Sequence, residues 1–561
     1  MNGRSRPGHG MRDLAASLEP SRSRAEPYYA GGRWRRESFV DDLRAAAANL
    51  PDRTVFVNWR RDLGREVIVT FGELAAYVDR LSAGLRDLGL RPGDVVAYQL
   101  PNWWEAAALG LACLDAGLIA VPMMATLGAR EVERVLAGTE ANACVVVDRW
   151  ETARPARLLA DLDTRLPRLR HRVVLGDAAA TGALAFADLL GSDPRPRAHV
   201  ARDPDEVSLV LFTSGTTGEV KGVLHTANTQ YACTRPRHRA VCDIPEPRTA
   251  TPANLTHSVG MRTNVLMPLV TGCGSVFADT RDPDVWLDLL ARHRVTHFLG
   301  APMMLARLVE AQRRHHRPLP CLQLIISTGA PLPVSLVAPV HRWLSPGLVN
   351  GFGMTETGGI TATAVDDPPD WTGHSIGRPV PGCEIRLVAD EPTAEDRAFR
   401  LYVRGPSVCA GTFRLHDRRP TWDPEATDGW YDTGDLVGED GSGGLRYLSR
   451  DADRIGSPLL IPILEVEDEL LRHPAVAEVA IVGRQNPGGE ETVCAFVVPT
   501  GPAPTLDDLR AHLLGTGMTE WYLPTRLECV AALPRNELGK VRKTELRDRL
   551  RPPENDPARN P

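Results

Sequence analysis

The chain has 561 residues, 43% hydrophobic and 24% charged, with a net charge of −6. Its length exceeds one ordinary domain, and its balance is that of a soluble globular protein with a sizeable core. The arginines are spread along the chain rather than clustered with aromatics, which excludes a nucleic-acid-binding face and leaves a small molecule as the expected partner.

Residues 1–27, rich in Arg, Ser, Pro and Gly and without an apolar signal core, are expected to form a disordered tail. The apolar stretch 106–124 is interrupted by Asp115 and Gly117, so it is not read as a membrane span. Ten scattered cysteines show no C-x-x-C pair and no zinc spacing, which points to a reducing compartment without a structural metal. The cytoplasm is the expected location. His315 and His316 sit in a polar stretch and read as a solvated helix end.

From residue 70 onward, helix-period segments alternate with short apolar runs. Helices are predicted over 74–88, 103–114 and 130–136, and strands over 95–100, 118–122 and 143–148. This rhythm implies βαβ units on parallel sheets. A strand over 205–212 leads into a loop, and a further βα rhythm runs over 276–344. Past 379 the pattern changes to short strands at 383–388, 400–404 and 445–448. A compact final piece has helices at 465–471 and 506–514 and strands at 479–482 and 494–499. The domain boundary is placed at 451–453.

Only three of the 65 basic residues are lysines: Lys221, Lys540 and Lys543. In an arginine-dominated chain, a surviving lysine is a candidate for work that needs a compact ammonium rather than a planar fork. Lys221 closes Thr213-Ser214-Gly215-Thr216-Thr217-Gly218-Glu219-Val220-Lys221, and Lys540 follows Gly539 near the C-terminus. The first string lacks the Walker A spacing. It still has the ingredients of an anion site, with glycines for close backbone approach and hydroxyls as donors.

Five motifs in order carry a resemblance to the adenylate-forming superfamily of acyl-CoA ligases, luciferases and nonribosomal-peptide adenylation domains, over roughly residues 40–550. They are Thr213 to Gly218 with Lys221; Gly351-Phe352-Gly353-Met354-Thr355-Glu356; Tyr431-Asp432-Thr433-Gly434-Asp435; Arg450 with Asp453; and Gly539-Lys540. Val220 stands where the family usually has proline, and Phe352 where it more often has tyrosine. The resemblance implies an α/β fold: an adenylation body over 28–450, with parallel-rich sheets, packed helices and a β-barrel-like part, and a small mobile α+β lid over 451–561.

The resemblance also assigns roles. Thr213, Ser214, Gly215, Thr216, Thr217 and Gly218 would hold the β- and γ-phosphates of ATP, with Lys221 steadying the loop. Glu356 and Thr216 would bind Mg²⁺ and offset charge on the departing pyrophosphate. Thr355 would contact the α-phosphate, beside Gly353. Gly329, Ala330, Pro331 and Phe352 would form the adenine pocket, and Asp435 and Arg450 the ribose site. Lys540 would be the catalytic cation between the attacking carboxylate and the α-phosphate, two anions that repel each other. Lys543 is expected on the surface.

His257 matches the position where coumarate- and fatty-acid-type CoA ligases carry a histidine at the acyl pocket. No aspartate is evident there to pair with an α-amino group. Asn254, Arg262 and Asn264 make the segment polar, which points to a small, aryl or polar acid. The family's post-hinge run departs here. Residues 455–467 are about one residue short, the proline is displaced, the mid-loop glycine is missing and Ala452 replaces a polar residue. The expected reaction is ATP-dependent formation of an acyl-AMP with release of pyrophosphate, then transfer to CoA. The altered run keeps open a carrier-protein thiol, an amine, or nitrite activated for diazotisation. A nucleotide-binding protein without turnover is the reading from another class, and the retained Lys540 and Glu356 oppose it.

Overall fold

The computed structural model describes residues 10–191, 203–214, 220–242, 244–389, 398–450, 455, 461, 463–485, 491–518, 520–536 and 539–550. Strands Val95–Gln99, Ile119–Met123 and Ala143–Val147 are buried along their whole length and pair in parallel. Strands covered on both faces need no polar alternation, which is why they read as continuous apolar runs. They lie inside a nine-stranded sheet that continues through His171–Leu175 on one side, and through Val207–Ser214 and Val220–Thr226 on the other.

The intervening helices begin and end on local chemistry. Helix Phe71–Asp87 opens with a reciprocal capping box between Thr70 and Glu73. Helix Trp104–Ala116 stops at Gly117, whose φ of +74° suits a residue without a side chain. Asp115, in that helix, is buried and takes Arg44 and Arg86 at 2.9 and 3.1 Å. The charge that interrupts the apolar stretch therefore ties three helices together. Among the described residues, no helix is long and apolar enough to cross a membrane.

A second nine-stranded sheet runs in parallel through Gly347–Met354, Leu324–Ser327, His297–Gly300, Arg248–Ala250, Gly274–Ala278 and Thr54–Arg60. Its far edge turns antiparallel, where Gly347–Met354 folds back on Gly358–Ala362. The part expected to be barrel-like is a four-stranded antiparallel sheet of Glu384–Ala389, Phe399–Arg404, Tyr431–Glu439 and Leu445–Arg450. The C-terminal piece is a three-stranded sheet with its own core, where helices Ile463–Leu470 and Leu506–Gly515 bury Val466, Leu470, Leu509 and Leu513 against Ile481, Ala495 and Val497. An α/β body with parallel-rich sheets and a small α+β C-terminal domain is thus the architecture.

The expected tail is a correction. From residue 11 the chain forms helices Met11–Ser17 and Arg22–Ala30, and Met11, Leu14, Ala15 and Leu18 pack into one cluster with Val95, Ala97 and Ile119. Composition suggested disorder, but apolar residues at helical spacing decide the outcome. Residues 1–9 and the boundary at 451–453 lie outside the described residues.

Candidate active site

Strands Val207–Ser214 and Val220–Thr226 are antiparallel neighbours, with Thr213 opposite Lys221 and Ser214 opposite Val220. The spacing of the hydroxyl- and glycine-rich string is therefore that of a hairpin, which returns Lys221 beside the residue that opens it. Val220 is the first residue of its strand, where either valine or proline is compatible with the ladder. Gly215, Thr216, Thr217 and Gly218, and the side chain of Ser214, lie outside the described residues.

A second hairpin delivers Thr355 and Glu356 to the same place, in the turn between Gly347–Met354 and Gly358–Ala362. A side chain on Gly353 would meet the Gly358 carbonyl oxygen at 2.0 Å, so this tight turn admits only glycine there. Glu356 is 3% exposed and forms an ion pair with Lys221. Lys221 Nζ also donates to the Tyr431 hydroxyl at 2.9 Å, and burial, with Glu356 nearby, raises the pKa of that phenol. The three groups join two hairpins and the antiparallel sheet. His225 lies beneath them, fully buried, with Nε2 donating to the Thr355 carbonyl at 2.9 Å. Burial first, then Arg262, pushes its pKa down to about 3, so this imidazole is neutral.

Asp435 and Arg450 face each other across adjacent strands, and Arg450 Nε donates to the Asp435 carboxylate at 3.1 Å. Asp435 is 2% exposed; burial pushes its pKa up against the opposing pull of Arg450 and Lys540. Arg450 and Gly434 form the cavity wall here, with the Asp435 carboxylate behind them. Phe352 packs its ring on Tyr447, with centroids 5.8 Å apart, next to Gly329, Ala330 and Pro331 on the same wall. Such a slot between rings and backbone suits a flat base.

Lys540 comes from the other domain. Asn536 and Lys540 close a tight turn through mutual hydrogen bonds of 2.8 and 2.9 Å, with Gly539 at φ +82°. A Cβ on Gly539 would lie 2.4 Å from Met303 Cε, so the turn docks directly against the body. Lys543 is corrected. Rather than being a plain surface residue, it is partly buried in a 2.7 Å ion pair with Glu467 and lines the cleft. Helix Lys543–Arg549 is short, and its start faces inward because Leu546 must reach the domain core.

One cavity of about 1820 Å³ is lined by Thr213, Lys221, His257, Gly329, Ala330, Pro331, Phe352, Gly353, Thr355, Glu356, Arg450 and Lys540. Residues spread over more than three hundred positions thus converge, the C-terminal lysine included. His257 caps the short helix Ser258–Gly260, its Nδ1 accepting from the Val259 N–H at 3.3 Å. Burial and then Arg262 hold its pKa down to about 4, so it offers a neutral Nε2–H rather than a charge. The motif readings gave no role to Tyr431 or His225. Tyr431 was visible as the first residue of its motif, whereas His225 bonds Thr229 nearby and reaches the site through Thr355, 130 residues away.

The Glu356 carboxylate and the buried Thr213 hydroxyl, which has no hydrogen-bond partner among the described residues, are hard oxygen donors of the kind Mg²⁺ prefers. Thr216, the other expected ligand, lies outside the described residues. Fold and site together define an adenylate-forming acid ligase, an enzyme that uses ATP.

The chain belongs to the AMP-binding enzyme family, whose profile matches residues 43–413; the AMP-binding enzyme C-terminal domain matches residues 465–540. It is 28% identical over 550 residues to a medium-chain fatty-acid–CoA ligase of Escherichia coli (strain K12), covering 95% of this chain and 94% of that relative. It is 32% identical over 540 residues to a salicyl-AMP ligase / salicyl-S-ArCP synthetase of Mycobacterium tuberculosis, covering 93% and 92%. Among solved structures, the amide bond synthetase McbA from Marinactinospora thermotolerans superposes with a TM-score of 0.76 at 27% identity, covering 91% of this chain and 99% of that one.

Proposed function

We propose that this enzyme activates a small, polar carboxylic acid with ATP and passes the acyl group to CoA. The observation that carries this reading is the convergence of Lys540, from the C-terminal domain, on the cavity that holds Thr355, Glu356 and Arg450. In the first step a carboxylate oxygen forms a bond to the α-phosphorus, and the bond to the β-phosphate oxygen breaks. Lys540 lies between the two anions as they approach and offsets their repulsion, an effect that is large where water is excluded. Lys221 and Tyr431 orient the phosphates, and the Phe352–Tyr447 rings and Gly329 to Pro331 hold the base. Glu356 and Thr216, with the Thr213 hydroxyl, would hold Mg²⁺, which when bound neutralises charge on the leaving pyrophosphate.

A second reading differs only in the acceptor. The run 455–467 departs from the CoA-ligase pattern, and the relatives are named for three acceptor types: CoA, a carrier protein and an amide-forming partner. Exchange of labelled pyrophosphate into ATP across a panel of acids tests the first step, and no exchange with any acid would overturn it. Product analysis with and without CoA tests the second: a thioester is expected, and adenylate that persists unchanged in the presence of CoA transfers the assignment to another acceptor.

A further inference from the structure

The acid side of the cavity contains a charge that the adenylation chemistry leaves unexplained. The segment Met261–Leu266 is a turn of π-helix, a wide turn that displaces side chains from ordinary helical positions and recurs at functional sites. It brings Arg262 and Thr263 to the cavity wall beside His257. Arg262 is 6% exposed. Its Nε donates to Gln230 Oε1 at 2.8 Å, while its Nη2 is buried without a hydrogen-bond partner among the described residues. The Gln230 Nε2 and Thr263 Oγ1 beside it are buried and unpaired as well.

No described carboxylate forms an ion pair with this guanidinium, and the nearby Glu356 is taken by Lys221. The other titratable neighbours are His225 and His257, both neutral, and the buried Cys233 thiol, which flanks Gly358 together with Arg262 Nη1; none of them is a carboxylate. A buried cation without a counter-ion is costly and is stable where an anion completes it. The reacting carboxylate is not that anion. It must present a free oxygen to the α-phosphorus beside Lys540, and a guanidinium fork holding both of its oxygens would lower its nucleophilicity.

We propose that Arg262 binds a second carboxylate of the acid, so that the substrate class is short dicarboxylic acids. The proposal rests on the adenylation reading above. The short length follows from position: Arg262 Nη1 lies 3.4 Å from where a Cβ on Gly358 would be, two residues past Glu356. An anion on the guanidinium is therefore held close to the reacting end. Gln230 is the positioning residue, fixing the plane of the fork through Nε.

The test is ATP–pyrophosphate exchange with matched pairs of equal length, propionate against malonate, butyrate against succinate and benzoate against phthalate. At least one diacid should exceed its monoacid partner by about 100-fold in kcat/KM, as expected where a buried polar group is left unpaired. Arg262→Met should erase that preference while leaving the KM for ATP within about threefold, and Arg262→Lys should restore part of it. If Arg262→Met fails to fold by thermal melt, Gln230→Met is read instead, and the wild-type pairs decide independently. Monoacids that match their diacids overturn the proposal and leave adenylation standing. Exchange with no acid overturns both.

Discussion

The two ends of the cleft treat charge differently. On the nucleotide side, Lys221 is shared between Glu356 and Tyr431, and Asp435 is bonded to Arg450, so each named ionic group has its complement. On the acid side, Arg262 has one amide partner and two neutral histidines for company. Paired groups can exchange partners with a polyphosphate at little electrostatic cost, which suits a substrate common to every turnover. An unpaired buried cation selects strongly for its complement, which suits recognition of one acid among many. In the proposed division, one side activates and the other chooses the substrate.

The largest test of that division is Lys540→Ala, which should lower the pyrophosphate exchange rate by about 100- to 1000-fold, the range for deleting one preorganised stabilising group. The KM values for acid and ATP should move far less; a change confined to KM would make Lys540 a binding residue instead. Glu356→Gln comes next, with an expected loss of about 10- to 100-fold and a higher Mg²⁺ concentration for half-maximal rate, because it replaces an anionic oxygen donor by a neutral one and frees Lys221 from its ion pair. An unchanged Mg²⁺ dependence would remove Glu356 from the metal site.

Stability should separate the sides by pH. His225 and His257 are held down to about 3 and about 4 in the folded chain, against about 6.5 when unfolded. Between those values the unfolded chain binds more protons, so stability rises with pH and levels off above about 6.5. Each histidine contributes a slope of up to about 1.4 kcal/mol per pH unit below that point. Thermal melts of wild type and His225→Gln from pH 7 to 5 check this. The wild type should lose stability more steeply than the variant, and parallel curves would mean that His225 is not held neutral. At pH 7 the variant should cost about 1–3 kcal/mol through the disturbed bond to Thr355. The smallest effect is Gly539→Ala, with about 1 kcal/mol of strain at φ +82° and contact with the flexible end of Met303. It should reduce exchange several-fold through Lys540 while the melting of the body stays put.

Much of the fold was legible locally. Strands 95–100, 118–122 and 143–148 and helices 74–88 and 506–514 were found within two or three residues of their expected bounds, because burial on both faces and capping residues act over a few positions. The N-terminal helices were misread because composition over residues 1–27 obscured the apolar spacing of Met11, Leu14 and Leu18. In the site, Lys221, Glu356, Arg450 and Lys540 stood out as motif residues, whereas the inward turn of Lys543 toward Glu467, 76 residues away, left no local mark.

The sequence by itself determined the class of chemistry, since glycines, hydroxyls and rare lysines at fixed spacing are demanded by phosphate and by tight turns. Only the tertiary structure decided which charges are paired. Pairing is a property of distance and burial: it silences Lys543 against Glu467, engages Lys221 with Glu356, and leaves Arg262 with a buried, unmatched guanidinium.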